Sequence, residues 1–263
     1  MSLRIRLARF LLRLSAFIQS LPVMVMNSDE LVEFSRQSYA KPHQVAGWAE
    51  DSLVDSGLTP DELDLLKDLP KTSGELLLLG VGGGREAIPL GNLGFHVTGV
   101  DYVSKMVSRA MENTARRGIQ IKGLVQEVSQ LDVPAESFDV VWISRAMYSC
   151  VPTRERRVEM VRRIVRAMKP GGYFLCQYQR GGSAVHLRRM DFIRRMLAKL
   201  VGGNTHYEPG DVLWLNVEFV HIFASDDDLC AEIEAGGLKV LRIQKDINPN
   251  RGGAVCVKET TNS

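Results

Sequence analysis

The residues with the strongest claim to chemistry sit in one stretch, Glu75-Leu-Leu-Leu-Leu-Gly80-Val-Gly82-Gly83-Gly84-Arg85-Glu86-Ala87. Four leucines run into a glycine cluster, and Ala87, Ile88 and Leu90 follow at helical spacing. The pattern predicts a buried strand, a tight turn and a helix start. Glycine accepts positive φ and lets a ligand approach the backbone, and a helix start offers unpaired N–H groups at its positive end. The next apolar run, His96 to Val100, ends in Asp101. That acid lies about 20 residues beyond the first glycine, where a second strand offers a carboxylate to a ribose. A nucleoside-bearing ligand is the expectation, and a plain βα turn is the alternative. A dinucleotide fingerprint needs a glycine where Arg85 stands, and no Lys-Ser or Lys-Thr pair follows, so neither a dinucleotide nor a triphosphate loop is indicated.

Further along come Ser137-Phe138-Asp139-Val140-Val141 and Met168-Lys169-Pro170-Gly171-Gly172-Tyr173. In order with the glycine turn and Val100-Asp101, they resemble the class I S-adenosylmethionine-dependent methyltransferases over about residues 72–258. The resemblance implies an α/β fold, a Rossmann-like seven-stranded, mostly parallel sheet with an antiparallel last strand and helices on both faces. It implies S-adenosyl-L-methionine as cofactor, held by Gly80, Val81, Gly82, Gly84, Asp101, Tyr102 and Ser144. It also sets Glu127 and Val128 beside the adenine, the one accepting from the amino group and the other donating its amide; a helix-capping role for Glu127 is the alternative. One position departs from the family. An acid usually stands two residues before the first glycine, and here that place holds Leu78. Glu86 is a candidate to replace it at the cofactor's methionine end, or is a solvent-facing acid of a first helical turn.

The chain of 263 residues is 45% hydrophobic and 24% charged, which suits one large α/β domain with a modest extension. A formal net charge of +2 does not announce a polyanionic partner. Cys150, Cys176, Cys230 and Cys256 form no C-x-x-C pair and read as buried free thiols of a reducing compartment, not as a disulfide framework or a metal site. No metal is expected, no nucleic-acid partner is expected, and a cytoplasmic location is the reading. The oligomeric state is open.

Residues 1–70 read as an N-terminal helical extension and 71–263 as the methyltransferase domain, with a cap insertion at about 180–217. Arg4, Arg6, Arg9 and Arg13 alternate with Leu3, Leu7, Phe10, Leu14, Phe17 and Leu21, with no acid among residues 1–26. This predicts a basic amphipathic helix that Pro22 ends. The arginines interrupt the apolar run too often for a membrane span or a signal peptide. Packing on the domain, contact with a membrane surface and targeting stay open. Asn27-Ser28-Asp29-Glu30 and Thr59-Pro60-Asp61-Glu62 read as helix starts, the second a capping box.

A fourth strand is expected over Phe138–Ile143, a fifth over Tyr173–Tyr178 after a turn at Lys169-Pro-Gly-Gly172, and Trp214–Phe223 reads as extended. Ser144-Arg145-Ala146-Met147-Tyr148 follows the fourth strand, at the sheet end where ligands bind. N-methyltransferases acting on adenine or protein glutamine carry Asn/Asp-Pro-Pro-aromatic at this place, so the departure argues against nucleobase amino groups. Tyr39, Trp48, Arg145, Tyr207 and Trp214 are the expected substrate contacts, ordinary packing being the alternative for the aromatics. His221 is the first candidate for a general base, His206 the second, and Tyr148 a further catalytic candidate. Segments 3–18 and 185–200 both interleave basic and apolar residues and suit peripheral membrane contact. The expected activity is methyl transfer to a small, amphiphilic or lipid-like metabolite. An RNA-associated or non-catalytic binding module is the alternative.

Overall fold

Leucine at four consecutive positions needs burial on both faces, which a central parallel strand provides. In the computed structural model that run is β1 (Gly74–Leu79), with Leu76 to Leu79 fully buried. The structure describes residues 3–70, 72–181, 196, 198–248 and 250–260. Around β1 lie β2 (Phe95–Asp101), β3 (Lys122–Val125), β4 (Phe138–Ile143), β5 (Met168–Gln179), β8 (Lys239–Asn248) and β9 (Arg251–Val257). They form a seven-stranded sheet in the order β3-β2-β1-β4-β5-β9-β8. The first five pair in parallel, while β9 runs antiparallel to both β5 and β8. Strand order reverses between β1 and β4, the switch point at which open α/β sheets bind ligands.

Helices cover both faces. One core layer holds Leu77, Val141, Ile143 and Phe174 under α8 (Arg154–Ala167) and α9 (Asp226–Ala235). The other holds Leu76, Leu78, Val140 and Trp142 under α5 (Pro60–Leu66), α6 (Ala87–Asn92) and α7 (Ser104–Arg116). The expected capping box forms at Thr59, and the helix start at Asn27 proves to be a second one. Asn27 and Glu30 start α2 (Ser28–Tyr39), and Thr59 and Glu62 start α5. The extension continues through α3 (Pro42–Trp48) and α4 (Asp51–Val54).

Three expectations need correction. Pro22 lies inside α1 (Leu3–Val25) and does not end it. Proline forfeits one main-chain bond, but the final turn buries Val23 and Met24 against Leu31, Tyr207 and Phe219, and that packing carries the helix past it. β5 begins at Met168, five residues ahead of the expected Tyr173, so the Lys169-Pro170-Gly171-Gly172 turn is part of the strand. The extended run Trp214–Phe223 is in fact broken: β6 (Asp211–Trp214) and β7 (Glu218–His221) form a separate two-stranded hairpin. Its turn holds Leu215 and Asn216 in left-handed backbone, at φ 49° and 56°. Most of the expected cap helix at 185–200 lies outside the described residues.

Candidate functional site

The glycine turn works through two different positions. Gly82 sits at φ 51°, and a Cβ there would meet nothing within 4 Å. The backbone conformation favours glycine, and the space beside it is open. Gly83 is the reverse case: a Cβ would lie 2.0 Å from the Trp48 carbonyl oxygen, so the extension presses directly on the loop. Asp101, at the end of β2, accepts from the Gly82 N–H at 3.1 Å and from the Val103 N–H at 2.9 Å. It is only 8% exposed, and burial pushes its pKa up to about 6 despite the backbone donors.

Above this turn is a cavity of about 310 Å³, the size of a small-ligand site. Gly80, Gly82, Asp101, Tyr102 and Met106 form its floor. Ser144, Arg145, Met147 and Cys150 come from the stretch after β4, and Gln179 and Arg251 from the adjoining ends of β5 and β9. Tyr39 and Trp48 of the extension and Trp214, Glu218 and Val220 of the hairpin close the other side. Tyr39 packs edge-on to Trp48 at 6.2 Å, and the Arg145 guanidinium lies 5.4 Å over the Trp48 ring.

Nine of the expected site residues therefore meet in one cavity: Gly80, Gly82, Asp101, Tyr102, Ser144, Tyr39, Trp48, Arg145 and Trp214. The rest fall elsewhere. Val81 and Val128 are core residues, and Gly84 packs its backbone on Ala110 and Thr114 of α7. Glu127 holds Arg156 at 2.7 Å and accepts from Ser129. All three proposed catalytic residues lie off the cavity. Alternation along β7 sends Glu218 and Val220 to the cavity and Phe219 and His221 to the opposite face. His221 is buried, with Nδ1 2.8 Å from Asp211 and its ring against Phe223. Tyr148 is fully buried and donates to Glu232 at 3.4 Å. His206 is exposed, and Tyr207 is buried in the cluster under α1.

Glu208, Asp211 and His221 have ligand atoms within 4.8 Å of one another. Their hydrogen bonds are already committed. Asp211 takes the Glu208 N–H at 2.9 Å as well as His221, and the cation beside Glu208 is the fully buried Arg157, at 2.9 Å.

Glu86 is buried and not a solvent-facing acid. Its Oε1 accepts from the Ser144 hydroxyl at 2.5 Å and from Arg85 at 2.5 Å. Arg85 in turn donates to Glu62 of α5, at 2.5 and 2.8 Å, and to the Gly57 carbonyl at 2.6 Å. Burial alone would raise the Glu62 pKa, but Arg85 and the Thr59 cap outweigh it and hold the group below its ordinary value.

Residues 77–176 match the family model described as a methyltransferase domain. The matched stretch is a methyltransferase domain, and the sheet around it has the class I S-adenosylmethionine-dependent methyltransferase fold. It is 37% identical over 95 residues to the phosphatidylethanolamine N-methyltransferase of Cereibacter sphaeroides, a match covering 35% of this chain and 46% of that protein. It is 36% identical over 100 residues to the ubiquinone biosynthesis O-methyltransferase of Paramagnetospirillum magneticum, covering 38% of each. The match spans less than half the length of these curated relatives. Among solved structures, the 1,6-didemethyltoxoflavin-N1-methyltransferase of Burkholderia thailandensis superposes with a TM-score of 0.62 at 16% identity, over 88% of this chain and 90% of that one. A methyltransferase from Methanosarcina mazei gives 0.59 at 21% identity, over 78% and 99%. These two likenesses are of fold.

The residues of the methyltransferase domain fit S-adenosylmethionine. The open space at Gly82 admits a ligand against the backbone, and Asp101 offers a buried carboxylate to ribose hydroxyls. Leu78, in the place of the family's acid, is fully buried in the core. The polar group that reaches the cavity nearby is the Ser144 hydroxyl, oriented by Glu86. Sequence reasoning missed Glu218. It lines the cavity, accepts from the Cys150 thiol at 3.4 Å and from the Tyr39 hydroxyl, and burial raises its pKa. Only the register of a hairpin without glycine in its turn decides which face Glu218 takes, and no residue pattern announces it.

Proposed function

We propose that this chain transfers the methyl group of S-adenosylmethionine to a small amphiphilic acceptor, at or near a membrane surface. One observation carries the reading: the glycine turn and Asp101 share a single cavity with an aromatic and carboxylate wall built by the extension and the hairpin. The cofactor supplies an already activated methyl when bound. Gly80, Gly82 and Asp101 fix the nucleoside end, and Ser144 offers its oxygen near the reacting end. Tyr39, Trp48 and Trp214 hold an apolar acceptor and exclude water, and orientation of this kind is worth of order 7 kcal/mol or more. Glu218 takes the acceptor's proton as methyl transfer proceeds. Burial raises its pKa and so brings it closer to the acceptor's, as general-base catalysis requires.

The amphiphilic acceptor is supported by the extension. Leu7, Phe10, Leu11 and Leu12 of α1 are exposed, Phe10 by 61% and Leu12 by 71%. Arg4, Arg6 and Arg9 are exposed among them. A helical stretch that displays both faces to solvent, as α1 does over residues 3–12, suits an anionic interface, where each basic residue contributes about 1 kcal/mol. No helix among the described residues is long and apolar enough to cross a membrane. The two curated relatives act, by their names, on a phospholipid and in quinone biosynthesis. Incubation of the purified chain with methyl-labelled cofactor and separate lipid, polar-metabolite and RNA extracts tests the reading. Label is expected in the lipid extract. Label confined to RNA, or none in any extract while S-adenosylhomocysteine binds, would refute it.

A further inference from the structure

We propose that Arg145 and Arg251 form an oxyanion subsite of the cavity, so that the methyl acceptor carries a phosphate or carboxylate group. The inference rests on the methyl-transfer reading and names the chemistry of its acceptor.

The sheet itself changes character at this place. On one face of β4, β5 and β9, Val140, Leu175 and Val255 are core. Toward the cavity the same face continues as Trp142 and Ser144, Gln177 and Gln179, and Arg251, by the two-residue alternation of strands. Gln179 and Arg251 are direct register partners. Native structures pair buried polar atoms almost without exception. Here the Nε atoms of Arg145 and Arg251, both of which line the cavity, are buried without a hydrogen-bond partner among the described residues. Both are donors, so what the site lacks is an acceptor.

Charge points the same way. Neither Arg145 nor Arg251 has a carboxylate partner among the described residues, unlike Arg85 and Arg157. Burial, then Arg85, and also Arg251 hold the Arg145 pKa below its ordinary value, against the opposing pull of Glu86 and Glu62. Arg145 also sits in left-handed backbone at φ 45°. Such strain in a side-chain-bearing residue collects at ligand clamps. A planar guanidinium is matched to the oxygens of phosphate and carboxylate.

Sheet order separates this subsite from the nucleoside end. Asp101 ends β2 and Arg251 begins β9, four strand spacings apart in the order β2-β1-β4-β5-β9, or about 19 Å at the usual spacing. With ribose at Asp101 and the reacting end above β1 and β4, Arg251 is left to the acceptor.

The test uses the full chain saturated with S-adenosylhomocysteine, whose binding is first measured by calorimetry. Sodium phosphate and sodium acetate are titrated separately at ionic strength held constant with chloride. Tryptophan fluorescence, with Trp48 under Arg145, and melting temperature are followed. A saturable response to at least one anion is expected, phosphate indicating a phosphorylated acceptor and acetate a carboxylated one. Arg251→Gln and Arg145→Gln should each weaken half-saturation about tenfold or more, Arg251→Lys should recover part of it, and Arg109→Gln, on the exposed side of α7, should change nothing. S-adenosylhomocysteine affinity of Arg251→Gln should stay within about threefold of the parent. No response beyond chloride would overturn the subsite. So would a parallel loss of S-adenosylhomocysteine affinity in Arg251→Gln, which would give the guanidinium to the cofactor. Failure of the parent chain to bind S-adenosylhomocysteine, read before any anion is added, would instead overturn the methyl-transfer reading.

Discussion

Asp101→Asn is expected to raise the stability of the ligand-free protein at alkaline pH while abolishing most of its cofactor affinity. Burial lifts the Asp101 pKa from 3.8 to about 6. The folded state therefore holds this proton more tightly than the unfolded chain does. By linkage, unfolding free energy falls as pH rises from about 4 to 6, then stays level. A shift of about 2 units at 1.36 kcal/mol each puts the cost of the buried carboxylate near 3 kcal/mol at pH 8. Asparagine removes the charge but keeps only one acceptor for the two N–H groups of Gly82 and Val103, which returns about 1 kcal/mol. The net gain is about 1–2 kcal/mol at pH 8. For a chain of this size that raises the melting temperature by about 3–6 °C. Near pH 4 the gain should vanish, because the parent carboxyl is then already neutral. The charge-assisted contact to ribose is lost at any pH where the parent is ionised, at a cost of about 1.5–3 kcal/mol, or roughly 10- to 150-fold in affinity. Thermal melts of both proteins at pH 4.5 and 8, with calorimetry of S-adenosylhomocysteine at pH 8, read all of these. An asparagine variant that melts below the parent at pH 8 would refute the reasoning, since the buried charge would then be stabilising.

Gly82→Ala should fold, because nothing lies within 4 Å of the added carbon, at a cost of about 1–2 kcal/mol for left-handed backbone; calorimetry should show S-adenosylhomocysteine binding weakened by about tenfold or more. Glu218→Gln should lower turnover about 100-fold with cofactor affinity intact. In the parent, turnover should rise with pH through a group titrating above 4.5, the ordinary glutamate value, and that limb should be missing from the variant's profile. Glu232→Ala removes the closest partner of the fully buried Arg157, held at 2.7 and 2.8 Å, and should cost about 3–5 kcal/mol in denaturant unfolding. Phe10→Glu with Leu11→Glu should abolish pelleting with anionic liposomes while leaving the melting temperature within about 2 °C, since both side chains are exposed.

The sheet, the glycine turn and the position of Asp101 were legible because their signals are local. Four leucines, a glycine turn and Asp101 at a fixed spacing specify a strand, a loop and a carboxylate without knowledge of anything distant. The capping residues at Asn27 and Thr59 are local in the same way. The opposite wall of the cavity was legible in part. Tyr39, Trp48, Arg145 and Trp214 stood out by type, and they meet although they come from three separate parts of the chain. The catalytic candidates lie off the cavity, and their orientation is not local. His221 and Glu218 are three residues apart on one short strand, and a one-residue difference in register would exchange their faces. That register depends on a turn at Leu215-Asn216, residues that do not advertise left-handed backbone as glycine does. Arg251 lies in the last strand, and only antiparallel pairing to β5 brings it beside Gln179.

The Arg85 guanidinium bears on where this protein can be divided. The recognisable family stretch begins at residue 77, and a recombinant domain cut there would look complete by alignment. Such a fragment would keep Arg85 and Glu86 but lose Glu62, the Gly57 carbonyl and the Trp48 backbone that packs on Gly83. A buried cation would face an emptied socket, and the acid that orients the Ser144 hydroxyl would have to swing toward it. The stretch that the family model matches is thus smaller than the unit that packs around the glycine turn, and a fragment that keeps Arg85 paired has to start upstream of Gly57 and Glu62.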